Sequence, residues 1–153
     1  MKRPVMLDNN VVAVLLDIEH PERADVYERV VLPSVNLCLS VVVHTEQMFG
    51  FAKSRVARKW RLPSYHDLLE FCPAVAWDIH AAETYALLRH AVSSRPMSTH
   101  DGLIVAHALA RDAVLVTMDR NLILSYQTAE PFTLTDGRNS HGGDHVVHVE
   151  DFS

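Results

Sequence analysis

Acidic side chains stand at the ends of several apolar segments of this 153-residue sequence. Asp8 directly follows the apolar run "VML", and Asp119 comes shortly after "VLV". Asp101 opens the apolar segment before that second run, and Glu46 lies within "VVVHTEQMFGF". A carboxylate in such surroundings is costly unless it is solvated, paired or bound to a cation. Oxygen ligands without His or Cys partners suit Mg²⁺ or Mn²⁺ better than zinc.

The segments that carry these acids alternate between strand and helix patterns. Short buried strands are predicted at residues 5–7, from 37, at 74–76, at 114–116 and, as an edge strand, at 146–149. Helices are predicted at residues 11–16, 22–30, from 42, at 54–63, 64–71, 78–92 and from 98. This alternation indicates a three-layer α/β/α fold around a mainly parallel sheet of four to five short strands.

The predicted fold brings the four acids to one edge of the sheet. Ligands of open parallel sheets bind beyond the carboxyl ends of the strands, where Asp8 and Asp119 stand. Glu46 lies about one turn into the helix after the second strand. The helix that Asp101 opens runs antiparallel to the strand after it, so its first turn lies at the same edge. Clustered carboxylates raise one another's pKa, and a divalent cation relieves that repulsion.

Each acid also has a simpler structural interpretation. Asp8 and Asp119 suit helix caps or turns, and Asp101, three residues after Ser98, suits a capping box. Glu46 suits the exposed side of an amphipathic helix. Four separate coincidences are needed to explain all of the acids in this way. An acidic cluster that holds Mg²⁺ with open coordination positions is what phosphodiester hydrolysis requires.

The sequence resembles PIN-domain proteins, most closely toxin ribonucleases of the VapC type. The resemblance covers nearly the whole chain and is carried by "MLDNNVV", "LSVVVHTEQMFG", "AVAWDIHAAETYALLRHAV" and "STHDGLIVAHALARDAVLVTMDRN". It implies that Asp8, Glu46, Asp101 and Asp119 form the family's acidic quartet. The three aspartates would hold the metal directly or through water, and Glu46 would hold metal or orient the attacking water.

The residues around the quartet match the family in part. By the resemblance, Asn10 and Asn121 are the polar residues that follow the first and last acids and brace the carboxylates. Asn9 stands where Thr or Ser is common, and His100 stands where Asn, Ala or Tyr is frequent. These departures leave all four acids in place.

The resemblance implies a single PIN domain over residues 1–153 that acts as a Mg²⁺- or Mn²⁺-dependent endoribonuclease. It further implies the toxin role in a toxin–antitoxin pair, a cognate antitoxin as partner, and a homodimer. Two related alternatives are a PIN nuclease of RNA processing and a catalytically silent binding module. A receiver-type phosphotransfer domain is disfavoured, because no Lys follows a later strand.

A basic segment lies between the second strand and the third. A nuclease of net charge -5 needs local cations to bind RNA, and this segment supplies them. The candidate RNA-binding residues are Lys53, Arg55, Arg58, Lys59 and Arg120. The alternative for the segment is a solvated helical face. Trp60 is expected in the core rather than stacked on a base.

The remaining titratable residues suggest no second site. Cys38 and Cys72 lack metal spacing and are expected to be reduced core residues. His107 is expected to be a satisfied, semi-buried residue. His141, His145 and His148 are expected to be solvated loop and edge-strand residues.

Location is predicted from hydropathy. No apolar run reaches the ~18 residues that span a bilayer. The segment after Met1 is a poor signal peptide, because Asp8, Asn9 and Asn10 interrupt it. We therefore expect a cytoplasmic protein without membrane contact.

Overall fold

A parallel β-sheet forms the centre of the molecule. The computed structural model describes residues 2–140 and 145–153, and within them the sheet has five strands in the order β3-β2-β1-β4-β5. The strands are β1 Val5–Leu7, β2 Leu37–Ser40, β3 Ala74–Val75, β4 Val114–Thr117 and β5 Val146–His148. Every neighbouring pair is parallel. The predicted α/β class and parallel sheet are confirmed.

Helices connect the strands and cover the sheet in a three-layer arrangement. They are α1 Asn9–Leu16, α2 Arg23–Val26, α3 Val41–Lys53, α4 Arg55–Phe71, α5 Ile79–Ala91, α6 Thr99–Ala110 and α7 Arg120–Gln127. A π-helical turn, Tyr27–Val31, continues α2, and a 3₁₀ turn, Val149–Asp151, follows β5. Each strand from β1 to β4 is thus followed by at least one helix, which is the chain order that parallel pairing requires.

The register of the sheet places the ends of its central strands side by side. In β1, Val5 pairs with Val114 of β4, and Leu7 pairs with Val116. The backbone N–H of Asp8 then donates to the carbonyl of Val116 at 3.0 Å. The chain therefore leaves β1 beside the end of β4, and side chains that follow the two strands meet there.

Burial explains why these strands are so apolar. β1 lies between two neighbours and under helices, and Met6 and Leu7 have no exposed surface. A parallel strand covered on both faces reads as a continuous apolar run rather than an alternating one. On α6, the side chains of Ile104, Val105 and Leu109 are also buried. The acids at the strand ends are thus carried by the most rigid part of the core.

One predicted helix boundary was wrong. Residues 54–63 and 64–71 were expected to be separate helices, yet α4 runs from Arg55 to Phe71 with Pro63 inside it. Proline removes one intrahelical hydrogen bond, which usually ends or kinks a helix. Here Tyr65 and Leu68, which lie two and five residues beyond it, are buried, and this packing favours continuation of the helix.

Among the described residues, no helix combines the length and apolar character that crossing a membrane requires.

Two helical glycines differ in their surroundings and give a matched stability test. A Cβ on Gly50 of α3 would meet nothing within 4 Å, whereas a Cβ on Gly102 of α6 would lie 3.0 Å from Cε2 of Tyr85. Gly50→Ala is expected to raise the free energy of unfolding by ~0.5–1 kcal/mol, because alanine loses less entropy in a helix. Gly102→Ala is expected to lower it by about 1 kcal/mol, because the Tyr85 ring must shift.

Urea denaturation of the two variants measures the difference directly. A Gly102→Ala protein that is at least as stable as Gly50→Ala would show that α5 and α6 do not need a glycine where they pack.

Candidate active site

Asp8 is the buried centre of the candidate site, with only 4% of its surface exposed. Its Oδ1 accepts a hydrogen bond from the backbone N–H of Asn9 at 2.7 Å, and its Oδ2 accepts one from the Thr117 hydroxyl at 2.7 Å. Both bonds favour the ionised carboxylate. Burial nevertheless raises the pKa of Asp8 above its ordinary value, and the charges of Asp101 and Asp119 raise this pKa further.

Thr117, the last residue of β4, connects the parts of the site. Its side chain is fully buried. While its hydroxyl donates to Asp8, the same oxygen accepts from the amide of Asn10 at 3.3 Å and from the backbone N–H of Asp119 at 3.1 Å. Sequence reasoning missed this residue. The available signal was a hydroxyl residue at the end of an apolar strand, two positions before an acid.

The two predicted supporting asparagines make different contacts. Asn10 Oδ1 accepts from the backbone N–H of Met118 at 3.1 Å, so Asn10 reaches Asp8 through Thr117 rather than directly. Asn121 contacts Asp119 through its own backbone N–H, at 2.9 Å, and its side chain is exposed. A bracing function for either side chain stays a prediction.

Asp119 is the N-cap of α7. Its Oδ1 accepts from the backbone N–H groups of Asn121 and Leu122, at 2.9 and 3.3 Å. The capping interpretation therefore describes one of its oxygens. Within the described part of the chain, Oδ2 takes part in no hydrogen bond. The side chain is half-buried, and helix capping leaves its Oδ2 atom uncommitted.

Asp101 lies in the first turn of α6, and only half of a capping box forms there. Ser98 Oγ accepts from the backbone N–H of Asp101 at 3.1 Å. Between the described residues, no hydrogen bond returns from the Asp101 carboxylate to the Ser98 backbone. The helix thus uses the backbone of Asp101, and the half-buried carboxylate is not needed for capping.

Glu46 is exposed on α3 and faces the start of α6. Its Oε1 lies 3.7 Å from Nδ1 of His100, the residue before Asp101. The other ring nitrogen of His100 is buried without a hydrogen-bond partner among the described residues. This contact joins α3 to the first turn of α6 and keeps Glu46 beside that turn.

The acids repel one another but do not enclose a metal site. In the part of the chain that the structure describes, no three His, Cys, Asp or Glu side chains are close enough together to hold an ion. Yet Asp101 and Asp119 both raise the pKa of Asp8, so these three charges interact. Neighbouring carboxylates of this kind disfavour one another's ionised form. The three aspartates are thus electrostatically coupled oxygen donors at the carboxyl edge of the sheet.

The sequence that forms this edge matches a known family. The model of the PIN domain matches residues 5–125, a span that includes all four acids. The chain belongs to the PIN domain family. PIN domains are nucleases, so membership of the family makes this chain a nuclease, which is a hydrolase. A search of curated protein sequences finds no match.

Solved structures with the same fold contain toxin–antitoxin proteins. VapBC from Salmonella typhimurium, bound to DNA, superposes with a TM-score of 0.70 at 18% identity, covering 97% of this chain and 99% of that chain. VapBC2 from Rickettsia felis gives 0.64 at 22% identity, covering 75% and 87%. VapBC-5 from Mycobacterium tuberculosis, of the VapBC family of toxin–antitoxin systems, gives 0.64 at 20%, covering 96% and 98%. At these identities the likeness shows that the PIN fold is shared.

Most of the predicted RNA-binding residues of this PIN domain occupy one surface. Lys53, Arg55, Arg58 and Lys59 lie where α3 meets α4. Arg120 is exposed on α7, next to Asp119, and its guanidinium lies 2.6 Å from Glu150. An RNA contact by any of these five cations stays a prediction.

Trp60 was wrongly expected in the core. The side chain is 69% exposed on α4, among the cations of this surface.

The expectation for the cysteines is confirmed, since Cys38 and Cys72 are free and buried. Burial raises the pKa of the Cys38 thiol to about 11, so this PIN domain keeps it protonated at neutral pH.

The prediction for His107 is confirmed, and the ring is more buried than expected, with 1% exposed. Nε2 lies 3.0 Å from the carbonyl of Ala76, which can only accept, so Nε2 carries a proton. Nδ1, at 2.8 Å, then accepts from the Ser40 hydroxyl. Burial lowers the pKa of His107, so the ring is neutral and structural.

His148 lies on the edge strand β5 as predicted, but the expectation that His145 and His148 are solvated was wrong. His145 and His148 are buried, with 5% and 8% exposed, because β5 packs directly against β4. His145 Nε2 lies 3.0 Å from Asp112 Oδ1, and His148 Nδ1 accepts from the backbone N–H of Glu150. His141 lies outside the described residues.

Proposed function

We propose that this PIN domain is a Mg²⁺- or Mn²⁺-dependent endoribonuclease and the toxin of a toxin–antitoxin pair. The observation that carries the proposal is the state of Asp8. Two hydrogen bonds stabilise the ionised carboxylate of Asp8. Burial and the charges of Asp101 and Asp119 nevertheless raise its pKa. Such a carboxylate costs stability at neutral pH, and a bound cation at this position removes that cost.

The donor atoms fit a hard divalent cation. Asp8, Asp101 and Asp119 would hold it directly or through water, and Glu46 would hold it or orient the attacking water. Carboxylate oxygens are the ligands that Mg²⁺ and Mn²⁺ prefer. When bound, the ion lowers the pKa of a coordinated water and offsets negative charge on the phosphate.

The chain's own residues prepare the site for that ion. The Asn9 backbone and the Thr117 hydroxyl fix both oxygens of Asp8 in orientation. The start of α7 holds Oδ1 of Asp119, which fixes the direction of Oδ2. Such supporting bonds determine how well carboxylates bind a metal.

RNA is the proposed substrate, and cations beside the site are proposed to bind it. The sequence resembles toxin ribonucleases, and Lys53, Arg55, Arg58 and Lys59 supply positive charge to a chain of net charge -5. Arg120 would add a phosphate contact next to Asp119. Cellular RNA is the target of a toxin, so the cytoplasm is the proposed location.

A cognate antitoxin is the proposed protein partner. The Salmonella typhimurium and Mycobacterium tuberculosis structures of the same fold are VapBC proteins. In this chain, an apolar groove of about 230 Å³ lies between α1, the turn after α2 and the second half of α4. Its apolar lining includes Leu15, Leu16, Val31, Leu68 and Phe71. An amphipathic helix of the antitoxin fits a groove of this kind. A homodimer is the proposed assembly of the toxin itself.

Co-expression tests the toxin role. The chain expressed alone is expected to arrest growth, and the chain expressed with the small reading frame beside its gene is expected to be harmless and to copurify with its product. Asp101→Asn, expressed alone, is the matched control and should not arrest growth. Growth should be followed together with RNA integrity in the same cultures.

The two alternatives give different results in this experiment. A PIN nuclease of RNA processing would cleave RNA without arresting growth, which would contradict the toxin role and leave the nuclease standing. A catalytically silent binding module would have the same effect on growth with and without Asp101→Asn, and that result would contradict both the toxin role and the nuclease activity.

A further inference from the structure

The corner between α3 and α4 presents exposed aromatic rings among cations. Trp60 is 69% exposed and Phe49 is 58% exposed. The Nζ atom of Lys59 lies 5.1 Å from the centre of the Trp60 ring, and that of Lys53 lies 4.8 Å from the centre of the Phe49 ring. A tryptophan this exposed is unusual for a residue that buries so much area when packed. Something other than core packing accounts for its position.

Two neighbouring depressions lie between Glu46 and this tryptophan. A depression of about 200 Å³ has Glu46 and Gly50 in one wall and Ala57 and Arg61 in the other. A second depression, of about 380 Å³, is lined by Ala57, Arg61 and Trp60. The two depressions share Ala57 and Arg61, so they adjoin at these residues. Gly50 faces open space, because a Cβ there would meet nothing within 4 Å.

The charge of this surface selects an anionic occupant. Residues 53–61 contain five Lys and Arg side chains and no acid. Among the described residues, Arg61 alone of the five has a carboxylate near it, Asp17, at 3.9 Å. A purely apolar protein surface would cover the rings but would offer no anions to these cations. A nucleic-acid strand supplies both phosphates for the cations and flat bases for the rings.

We propose that Trp60 stacks on an unpaired base of the RNA substrate, with Lys59 beside the ring and a phosphate at Arg61, between Trp60 and Glu46. This inference rests on the proposed nuclease function and assigns the recognition of an unpaired base to Trp60. A base in a duplex is already stacked on both faces and cannot cover the indole, whereas an unpaired base can. Trp60 thus distinguishes unpaired from paired RNA at a distance from the reacting phosphate.

Tryptophan fluorescence tests the contact without cleavage. The chain has two tryptophans, so Trp77→Phe leaves Trp60 as the only reporter. In EDTA, an unstructured oligoribonucleotide of about 12 nucleotides is expected to quench its emission, and the same strand annealed to its complement is not. In the natural background, Trp60→Ala should weaken binding of the single strand by about 5- to 150-fold, equivalent to ~1–3 kcal/mol. Trp60→Phe, which keeps a ring, should lose less.

Controls separate this inference from the function it rests on. Ile79→Ala removes a side chain of similar exposure from α5 and should bind the single strand as tightly as the natural chain does. Both Ile79→Ala and Trp60→Ala should keep the melting temperature of the natural chain. Equal binding by Trp60→Ala, or equal quenching by the duplex, would overturn the inference. Loss of a protein partner by Trp60→Ala with RNA binding intact would also overturn it. Binding through Trp60 by a chain that never cleaves RNA would instead refute the nuclease and support this contact.

Discussion

Asp101→Asn is expected to reduce metal-dependent RNA cleavage by more than about 100-fold while the fold stays intact. Losing a residue that only supports a metal ligand typically costs about 10- to 100-fold, so losing a ligand should cost more. The fold should survive because α6 is capped by Ser98 and the backbone of Asp101, not by its carboxylate. Asp119→Asn should behave in the same way, since asparagine caps a helix as well as aspartate does.

Without metal, the same substitution should make the protein more stable. The pKa of Asp8 is raised above the ordinary 3.8 by burial and by Asp101 and Asp119. The folded state therefore holds the Asp8 proton more tightly than the unfolded state, and stability falls as pH rises from the ordinary carboxyl range through the raised pKa. Replacing Asp101 by an amide removes one of the repelling charges, which lowers that pKa. At pH 7 in EDTA, the melting temperature should rise by about 1–2 °C.

Asp8→Asn should also abolish cleavage, but it is the less clean test of stability. The carboxylate accepts from both the Asn9 backbone and the Thr117 hydroxyl, and an amide offers only one oxygen. One donor would lose its partner, at a cost of ~1–3 kcal/mol, against the gain from removing a buried charge. Glu83→Gln, on the exposed side of α5, is the matched control and should change neither cleavage nor stability. If Asp101→Asn cleaved RNA as fast as the natural chain, the Asp101 carboxylate would have no part in catalysis.

Thr117→Val is expected to have the largest effect on stability. Valine keeps the shape of threonine but removes the hydroxyl, which joins Asp8, Asn10 and the Asp119 backbone. These buried and half-buried groups would lose their partner, and the free energy of unfolding should fall by ~2–4 kcal/mol. The pKa of Asp8 should rise further, because the bond from Thr117 lowers it. Cleavage should fall by about 10- to 100-fold.

Thr117→Ser separates the hydroxyl from the packing. Serine keeps the donor and loses one methyl group, so it should cost only ~1 kcal/mol and retain most of the activity. Thermal unfolding and RNA cleavage of the two variants should be measured in parallel. Equal behaviour of the valine and serine variants would mean that the hydroxyl does not organise the site.

The sequence predicts the parts of this molecule that follow from hydrophobic pattern. The strands before Asp8 and Asp119 are short, apolar and parallel, and any parallel sheet brings their ends to one edge. This topology places Asp8 and Asp119 at the same edge, and the charges of Asp101 and Asp119 both act on Asp8. The α4 helix was divided wrongly because Pro63 is a local signal, whereas the packing of Tyr65 that overrides it is tertiary.

The exposure of single side chains was harder to predict. Trp60 was expected to be buried and His148 to be exposed, but Trp60 is exposed and His148 is buried. In each case the residue type suits either environment, and the decision depends on which neighbour covers it. Thr117 was missed for a related reason, since its importance lies in contacts with residues more than a hundred positions away. The sequence shows a hydroxyl residue at the end of an apolar strand, but it does not show which distant side chains that hydroxyl contacts.

Cleavage of total cellular RNA by the purified chain is the most direct test of the central claim. The reaction should be run with Mg²⁺, with Mn²⁺ and with EDTA, and the new ends mapped at nucleotide resolution, with Asp101→Asn in parallel. Discrete cuts that require the metal and Asp101, and that fall in unpaired regions, are the predicted result. RNA that stays intact with either metal, or equal cleavage in EDTA or by Asp101→Asn, would contradict the claim that these acids form a metal-dependent ribonuclease site.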